Sequence, residues 1–151
     1  MEEKQTSLRA DQSEGQKPKS VTRYLPTIAR ILMGLIFLVF GLNGFLHFIP
    51  QPKTMPEGAM AFSGALMHTQ YMFPLIMGTQ LLVGVLLLLN RFVPLALALI
   101  APVVVNIVAF HIFLAPSGLV IAILVLVLEL YLAWAYRTAY GPMLTARAKP
   151  G

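Results

Sequence analysis

The sequence contains no cysteine and little charge. Only 11% of its 151 residues are Asp, Glu, Lys or Arg, whereas a globular domain carries about 25%. The missing cysteines exclude disulfide exchange, thiol redox chemistry and Cys-ligated metal centres. The scarcity of charge argues against a water-soluble helical protein, because helices exposed to water need a polar face. The sequence also lacks a nucleophile–base motif, a phosphate-binding glycine loop and a zinc signature, which leaves open whether the protein is an enzyme.

In place of charge, the sequence has four long apolar runs. Each run is close to the roughly 20 residues that an α-helix needs to cross the hydrocarbon core of a bilayer. We therefore predict an all-α fold, a bundle of four transmembrane helices embedded in the lipid bilayer. The predicted spans are residues 25–45, 71–89, 92–114 and 119–136.

The connection between the first two runs, residues 49–70, contains a shorter helical segment. Ala59, Phe62 and Leu66 follow helical spacing within Glu57–His68. The segment is too short to cross a bilayer. It predicts an interfacial or re-entrant helix lying over the bundle.

Positive charge is concentrated at one set of span ends. With four spans both termini lie on that side, and the positive-inside rule makes it the cytoplasmic side. The net charge of +5 is then a topology signal, and no nucleic acid is expected as a partner. We predict a disordered cytoplasmic tail over 1–22, a membrane domain over 23–140 and a flexible basic tail over 141–151. The basic residues on the cytoplasmic side are Lys17, Lys19, Arg23, Arg91, Arg137, Arg147 and Lys149.

Two charged residues, Arg30 and Glu129, lie inside the apolar runs. At 1.5 Å per residue they lie about 8 and 10 Å from the same membrane side. A charge at that depth costs several kcal/mol unless it is paired or hydrated, so we predict an intramembrane ion pair. Gly34 and Gly41, on the Arg30 stripe of the first span, would let the first and fourth spans approach closely. The pair would either lock the packing or serve as a proton or anion site.

A second group of polar residues predicts a ligand pocket toward the outer ends of the helices, capped by the Glu57–His68 helix. Imidazoles on facing helices could hold haem or another metal, but no carboxylate or second histidine lies at a tight ligand spacing. We therefore predict no metal site. A quinone or other small ligand is the candidate occupant of the pocket. Interhelical hydrogen bonding is the favoured role of the two mid-span amides, Gln80 and Asn106, with ligand binding as their alternative role, and simple hydrogen bonding is the commoner role of interfacial histidines. The candidate pocket residues are Asn43, His47, His68, Gln80, Asn106 and His111.

The first span reads Arg30-Ile-Leu-Met-Gly34-Leu-Ile-Phe37-Leu-Val-Phe-Gly41-Leu42, and it resembles the opening helix of the DoxX family of small bacterial integral membrane proteins. The resemblance extends over about residues 23–140. It implies a four-helix bundle in the bacterial cytoplasmic (inner) membrane. The family name comes from a thiosulfate:quinone oxidoreductase, and the resemblance implies either association with a membrane redox complex, as for some relatives, or a role as a chaperone or assembly factor, as for others. Many members carry a lysine after the Gly-Leu pair, where this chain has Asn43 and Gly44, so chemistry that depends on that lysine is not expected.

Three functions remain open at this point. The first is a quinone-contacting subunit of a membrane redox complex, based on the polar pocket and the resemblance. The second is a non-catalytic scaffold or assembly factor that binds a membrane protein partner or a second copy of itself, based on the absence of a complete catalytic constellation. The third is a small transporter or channel, for which four spans would need an oligomer to form a pore.

Overall fold

The computed structural model describes residues 23–50 and 54–144, and within these ranges the chain is all-α, with no strand. The predicted tail over 1–22, and residues 145–151 of the predicted tail over 141–151, lie outside the described residues. Two short 3₁₀ segments, Pro116–Gly118 and Arg137–Leu144, flank the last helix. The helices are α1 (Leu25–Leu46), α2 (Glu57–His68), α3 (Met72–Leu88), α4 (Val93–Phe113) and α5 (Leu119–Ala135).

The predicted element bounds are confirmed to within one residue. Prolines mark the first turns of α1 and α4, where a missing backbone N–H costs nothing. Between α3 and α4 the chain turns within a few residues, with Asn90 and Phe92 in the left-handed region at φ 54° and 51°. This short connection makes α3 and α4 antiparallel neighbours.

Three of the spans are continuous and the fourth is bent. α1, α4 and the Pro116–Ala135 segment are each long and apolar enough to cross a membrane, whereas α3 has only 17 residues. α2 and α3 together also meet the criterion, with a bend of 92° between them. The four-helix membrane bundle is therefore confirmed, with α2 as the predicted interfacial or re-entrant helix.

Thr69 accounts for the bend between α2 and α3. Its hydroxyl donates to the carbonyl of Leu66 at 2.7 Å, and its Oγ1 accepts the backbone N–H of Met72 at 3.1 Å. Gln70 follows with φ 64°, a left-handed conformation that reverses the chain. One side chain thus satisfies the end of α2 and the start of α3, and α2 is held across the bundle.

The closest packing in the bundle joins α1 to α3, through glycines on both helices. A Cβ placed on Gly41 would lie 2.6 Å from the backbone N of Leu81, and one placed on Gly84 would lie 2.5 Å from the backbone N of Leu38. The two backbones are therefore in direct contact. The expectation that the Gly34–Gly41 stripe faces the fourth span was wrong, because this stripe packs against α3.

The outer surface of the bundle is apolar. Val120 and Phe113 are 81% and 80% exposed, and many other large aliphatic side chains face outward. A water-soluble protein of this size rarely exposes such a continuous apolar surface, whereas lipid-facing helices require one. The largest fully buried side chains of the core are Met33, Phe37, Val83, Leu87, Leu97, Ile100, Val104 and Leu132.

Candidate functional site

Arg30 is buried and bonded to the end of α3. Only 7% of its surface is exposed, and its Nη1 donates to the carbonyls of Leu87 and, at 3.4 Å, Leu88. These carbonyls belong to the last turn of α3, where the helix dipole favours a positive charge. Arg30 therefore closes the C-terminal end of α3 from its position on α1.

Glu129 is also buried, at 7% exposure, and its Oε2 has no hydrogen-bond partner among the described residues. Arg30 and Glu129 are not hydrogen-bonded to each other, since the Arg30 guanidinium donates to backbone carbonyls. α1 and α5 are nevertheless in contact. The pairing of Arg30 with Glu129 stays a prediction, and the observed surroundings of the two residues differ.

A cavity of about 660 Å³ opens between the helices at the end of the bundle that α2 covers. We call it the Asn43 cavity. Here the C-terminal ends of α1 and α4 meet the N-terminal ends of α3 and α5. Its apolar wall contains aliphatic side chains together with aromatic and methionine side chains, and methionine adapts well to irregular ligands. The aromatic and methionine side chains are Phe37, Phe40, Phe73, Met55, Met60, Met67 and Met77.

Four of the six candidate pocket residues line the Asn43 cavity: Asn43, His47, Gln80 and His111. His68 and Asn106 do not. His68 is exposed at the end of α2, and Asn106 is exposed on the outer surface of α4. The prediction that α2 caps the pocket is in agreement with the geometry, since Met60, Ser63, Gly64 and Met67 of α2 line it.

Those α2 residues follow the spacing i, i+3, i+4 and i+7, so the sequence pattern places them on one face of the helix. The stripe of Ala59, Phe62 and Leu66 named from the sequence is instead the face of α2 that packs on the bundle. Ala59 is fully buried, and the ring of Phe62 lies 5.6 Å from that of Phe110 on α4. The pocket-facing stripe is the neighbouring one.

Local hydrogen bonds position two of the polar side chains. Asn43 Oδ1 accepts the backbone N–H of Ile49 at 2.7 Å, which holds the chain as it leaves α1. With that oxygen occupied, the Asn43 side chain offers a ligand mainly its Nδ2 donor. The ring of His111 is bonded through Nδ1 to the carbonyl of Ala115 at 2.8 Å, which requires Nδ1 to be the donor. Nε2 of a neutral His111 is then an acceptor.

Gly118 makes room for His111. A Cβ at this position would collide with the imidazole ring. Glycine in the turn between α4 and α5 therefore leaves space for the imidazole where it stands, and its φ of −95° is ordinary. The ring is thereby kept against the turn, at the edge of the Asn43 cavity.

Gln80 is the deepest polar group of the site. It lies at the middle of α3, is 5% exposed and borders the Asn43 cavity. Its amide offers two donors and one acceptor in surroundings where an unpaired polar group is costly. A polar group of a ligand in the cavity would supply the partner.

A second, smaller cavity of about 360 Å³ lies between α4 and α5, and we call it the Glu129 cavity. It shares no lining residue with the Asn43 cavity. The hydroxyl of Tyr140 donates to the carbonyl of Pro94 at 3.0 Å at its edge. Burial and, secondarily, the negative charge of Glu129 raise the pKa of Tyr140. The lining residues are Leu97, Ala98, Ala101, Glu129, Ala133, Arg137 and Tyr140.

Within residues 23–50 and 54–144, no group of three or more His, Cys, Asp or Glu side chains could hold a metal ion. The polar groups of the Asn43 cavity are amides, imidazoles and one hydroxyl, spread over α1 to α4. This donor set is suited to hydrogen bonding with a neutral polar group.

The comparisons with known proteins bear on the family alone. No curated protein and no solved structure matches the chain. The family model DoxX matches residues 25–114, which run from the first residue of α1 to the end of α4. Since this match covers more than half of the sequence, and the helices form an apolar membrane bundle, the chain belongs to the DoxX family of membrane proteins.

Proposed function

We propose that this protein is a quinone-contacting subunit of a membrane redox complex, and that the Asn43 cavity holds the quinone ring. The observation that carries the proposal is the cavity itself. Its volume of about 660 Å³ lies within the range of small-molecule sites, which is about 300–1,000 Å³. Its wall is mainly apolar, with a few polar groups, as such sites require.

The polar groups match the chemistry of a quinone. A quinone ring carries two carbonyl acceptors on a flat apolar body. Nδ2 of Asn43 and Nε2 of Gln80 can each donate to a carbonyl, and aromatic and methionine side chains can pack against the ring. Gln80 is the more deeply buried donor, so its hydrogen bond to a ligand would be the least exposed to competition from water.

The positive-inside rule gives the proposed orientation. Arg23, Arg91 and Arg137 lie at the opposite end of the bundle from the Asn43 cavity. We propose that both termini are cytoplasmic in a bacterial inner membrane. The cavity then opens in the outer half of the bilayer. Because the sequence has no cysteine, electrons would reach the quinone from a partner protein rather than through a thiol of this chain.

Gln80→Leu is expected to weaken quinone binding about tenfold, the effect of losing one buried hydrogen bond of roughly 1.4 kcal/mol. The measurement is titration of the full-length protein in lipid nanodiscs with a short-chain ubiquinone, followed by quenching of intrinsic fluorescence. Thr79→Val is the matched control, because the Thr79 hydroxyl bonds to Leu75 within α3 and does not line the cavity.

Equal affinity of wild type and Gln80→Leu would contradict the placement of the ring at Gln80. Wild-type protein that binds neither ubiquinone nor menaquinone, and carries neither from native membranes, would contradict the proposed function.

A second function, a scaffold or assembly factor, is favoured by the position of Asn106. Its amide is exposed on α4 at about 10 Å inside the span, beside exposed Pro102 and 64% exposed Val105. Lipid chains cannot satisfy an amide, whereas amides on two helices can bond to each other. An amide has both a donor and an acceptor, so two copies related by a two-fold axis would satisfy both groups. We propose that this face of α4 contacts a second copy.

Asn106→Cys is expected to form a disulfide-linked dimer in oxidised native membranes, because the chain has no other cysteine. The measurement is non-reducing electrophoresis after copper-phenanthroline treatment. Val127→Cys is the control, since Val127 is 55% exposed at the middle of α5. Equal crosslinking at both positions would show random collision, and crosslinking of Asn106→Cys to a different protein would replace the second copy by that partner.

A further inference from the structure

We propose that the Glu129 cavity is a second ligand site, which takes a protonated amine with a slim apolar body from the lipid phase. The proposal concerns a cavity separate from the proposed quinone site, so it does not depend on quinone binding. Glu129 Oε2 is a buried acceptor atom with no hydrogen-bond partner among the described residues. Such an atom is costly unless something donates to it.

The neighbouring polar groups are already engaged elsewhere. Arg137 donates through Nη1 to the carbonyl of Trp134 at 3.0 Å, and its guanidinium lies 4.7 Å from the Trp134 ring centroid. The hydroxyl of Tyr140 donates to Pro94. Both side chains line the cavity, yet neither hydrogen-bonds to the Glu129 carboxyl. A molecule that enters the cavity can supply the missing donor.

The shape of the cavity sets the apolar part of that molecule. Glu129, Ala133 and Arg137 follow the spacing i, i+4 and i+8 on one stripe of α5 and its extension, opposite Ala98 and Ala101 of α4. Small side chains on both helices leave a groove between them, and the walls are otherwise apolar. A narrow alkyl chain fits such a groove, whereas a branched or ring-bearing body meets both helices.

The charge of the site sets the polar part. An acceptor oxygen in a low-dielectric site binds a charged donor more strongly than a neutral one. A carboxylate–ammonium contact also neutralises both groups at a depth where isolated charges are expensive. A fatty acid or an alcohol of the same length would lack this contact, so the site distinguishes amines from other amphiphiles.

The test uses n-octylammonium as the probe and n-octanol as the neutral ligand of equal length. We expect octylammonium to raise the thermal midpoint of the full-length protein in detergent, and octanol at the same concentration to leave it unchanged. Isothermal titration should show affinity for octylammonium about tenfold weaker in Glu129→Gln. Ala133→Leu, which fills the groove and keeps the carboxyl, should lose binding as well.

Several outcomes would overturn the proposal. They are the absence of any octylammonium effect on wild type, an equal effect of octanol, and unchanged affinity in Glu129→Gln. If Glu129→Gln does not yield folded protein, Ala133→Leu decides, because unchanged affinity there excludes the groove. Far-ultraviolet circular dichroism and size-exclusion chromatography of both variants serve as the folding control, and neither readout requires the protein to bind quinone. A wild type that binds quinone and no amine would overturn this inference alone.

Discussion

Replacing Gly84 by leucine should prevent the bundle from folding, whereas the same change at Gly78, on the same helix, should leave it folded. A Cβ at Gly84 would lie 2.5 Å from the backbone N of Leu38 and 3.0 Å from the carbonyl oxygen of Gly34. These are main-chain atoms of α1, which cannot move out of the way as the end of a side chain can. A Cβ at Gly78 meets nothing within 4 Å.

Alanine at the two positions gives the quantitative comparison. Gly84→Ala should lose about 1–3 kcal/mol through overpacking, although alanine is the better helix former by roughly 1 kcal/mol. Gly78→Ala should leave the stability unchanged or raise it, because alanine favours the helix and its Cβ meets nothing within 4 Å. With about 2–4 °C per kcal/mol for a chain of this size, the midpoints of the two variants should separate clearly.

The measurement is thermal unfolding in a mild detergent, followed by circular dichroism, with size-exclusion chromatography to detect aggregated Gly84→Leu. The outcome that would contradict the packing is a Gly84→Ala midpoint equal to or above that of Gly78→Ala. That result would mean that α1 and α3 are farther apart than the backbone contact between Leu38 and Gly84 requires.

The helix positions were predictable because the membrane fixes a length and the sequence marks its ends. Apolar runs of about 20 residues can satisfy their backbone groups in lipid only as helices. Prolines, a short polar connection and interrupted hydropathy then set each boundary, and no tertiary contact was needed to place them. α2 was equally clear, since Glu57–His68 is helical in pattern and too short to span.

The partners of each helix face were not predictable in the same way. The Gly34–Gly41 stripe was correctly identified as a close-packing face. A stripe of small residues, however, shows only which side of its own helix packs closely and does not show which helix packs against it. Four of the six candidate pocket residues line one cavity, because Asn43, His47 and His111 lie at the end of the bundle that α2 covers and Gln80 borders the same cavity from the middle of α3. Asn106 is different, since its side chain is exposed on α4. A polar residue on an apolar helix points into the bundle only if a partner for it exists there.

Arg30 illustrates the same limit for a charge. From the sequence, Glu129 is the only carboxylate within the spans, so pairing the two was the natural prediction. The acceptors that Arg30 meets are backbone carbonyls at the end of α3, and every helix end provides such groups. Their position depends on how α1 and α3 cross, which the side-chain pattern alone does not contain.

Arg30→Met is expected to cost about 2–3 kcal/mol, because it leaves the last turn of α3 without its charged donor. Methionine keeps most of the apolar stem, so the loss reports the guanidinium rather than a cavity. Arg30→Lys retains the positive charge at the negative end of the α3 dipole and should lose less, since one ammonium replaces a group with several donors.

Comparison with Glu129→Gln separates the two possible roles of Arg30. If Arg30 acts on the α3 carbonyls, Arg30→Met should lower the thermal midpoint by about 4–12 °C, and Glu129→Gln should change it little. If an Arg30–Glu129 ion pair dominates, both variants should be destabilised, and the double variant should be no worse than Arg30→Met alone. Thermal midpoints of the wild type, the two single variants and the double variant in one detergent therefore decide whether this buried arginine pairs with an acid or bonds to the end of a neighbouring helix.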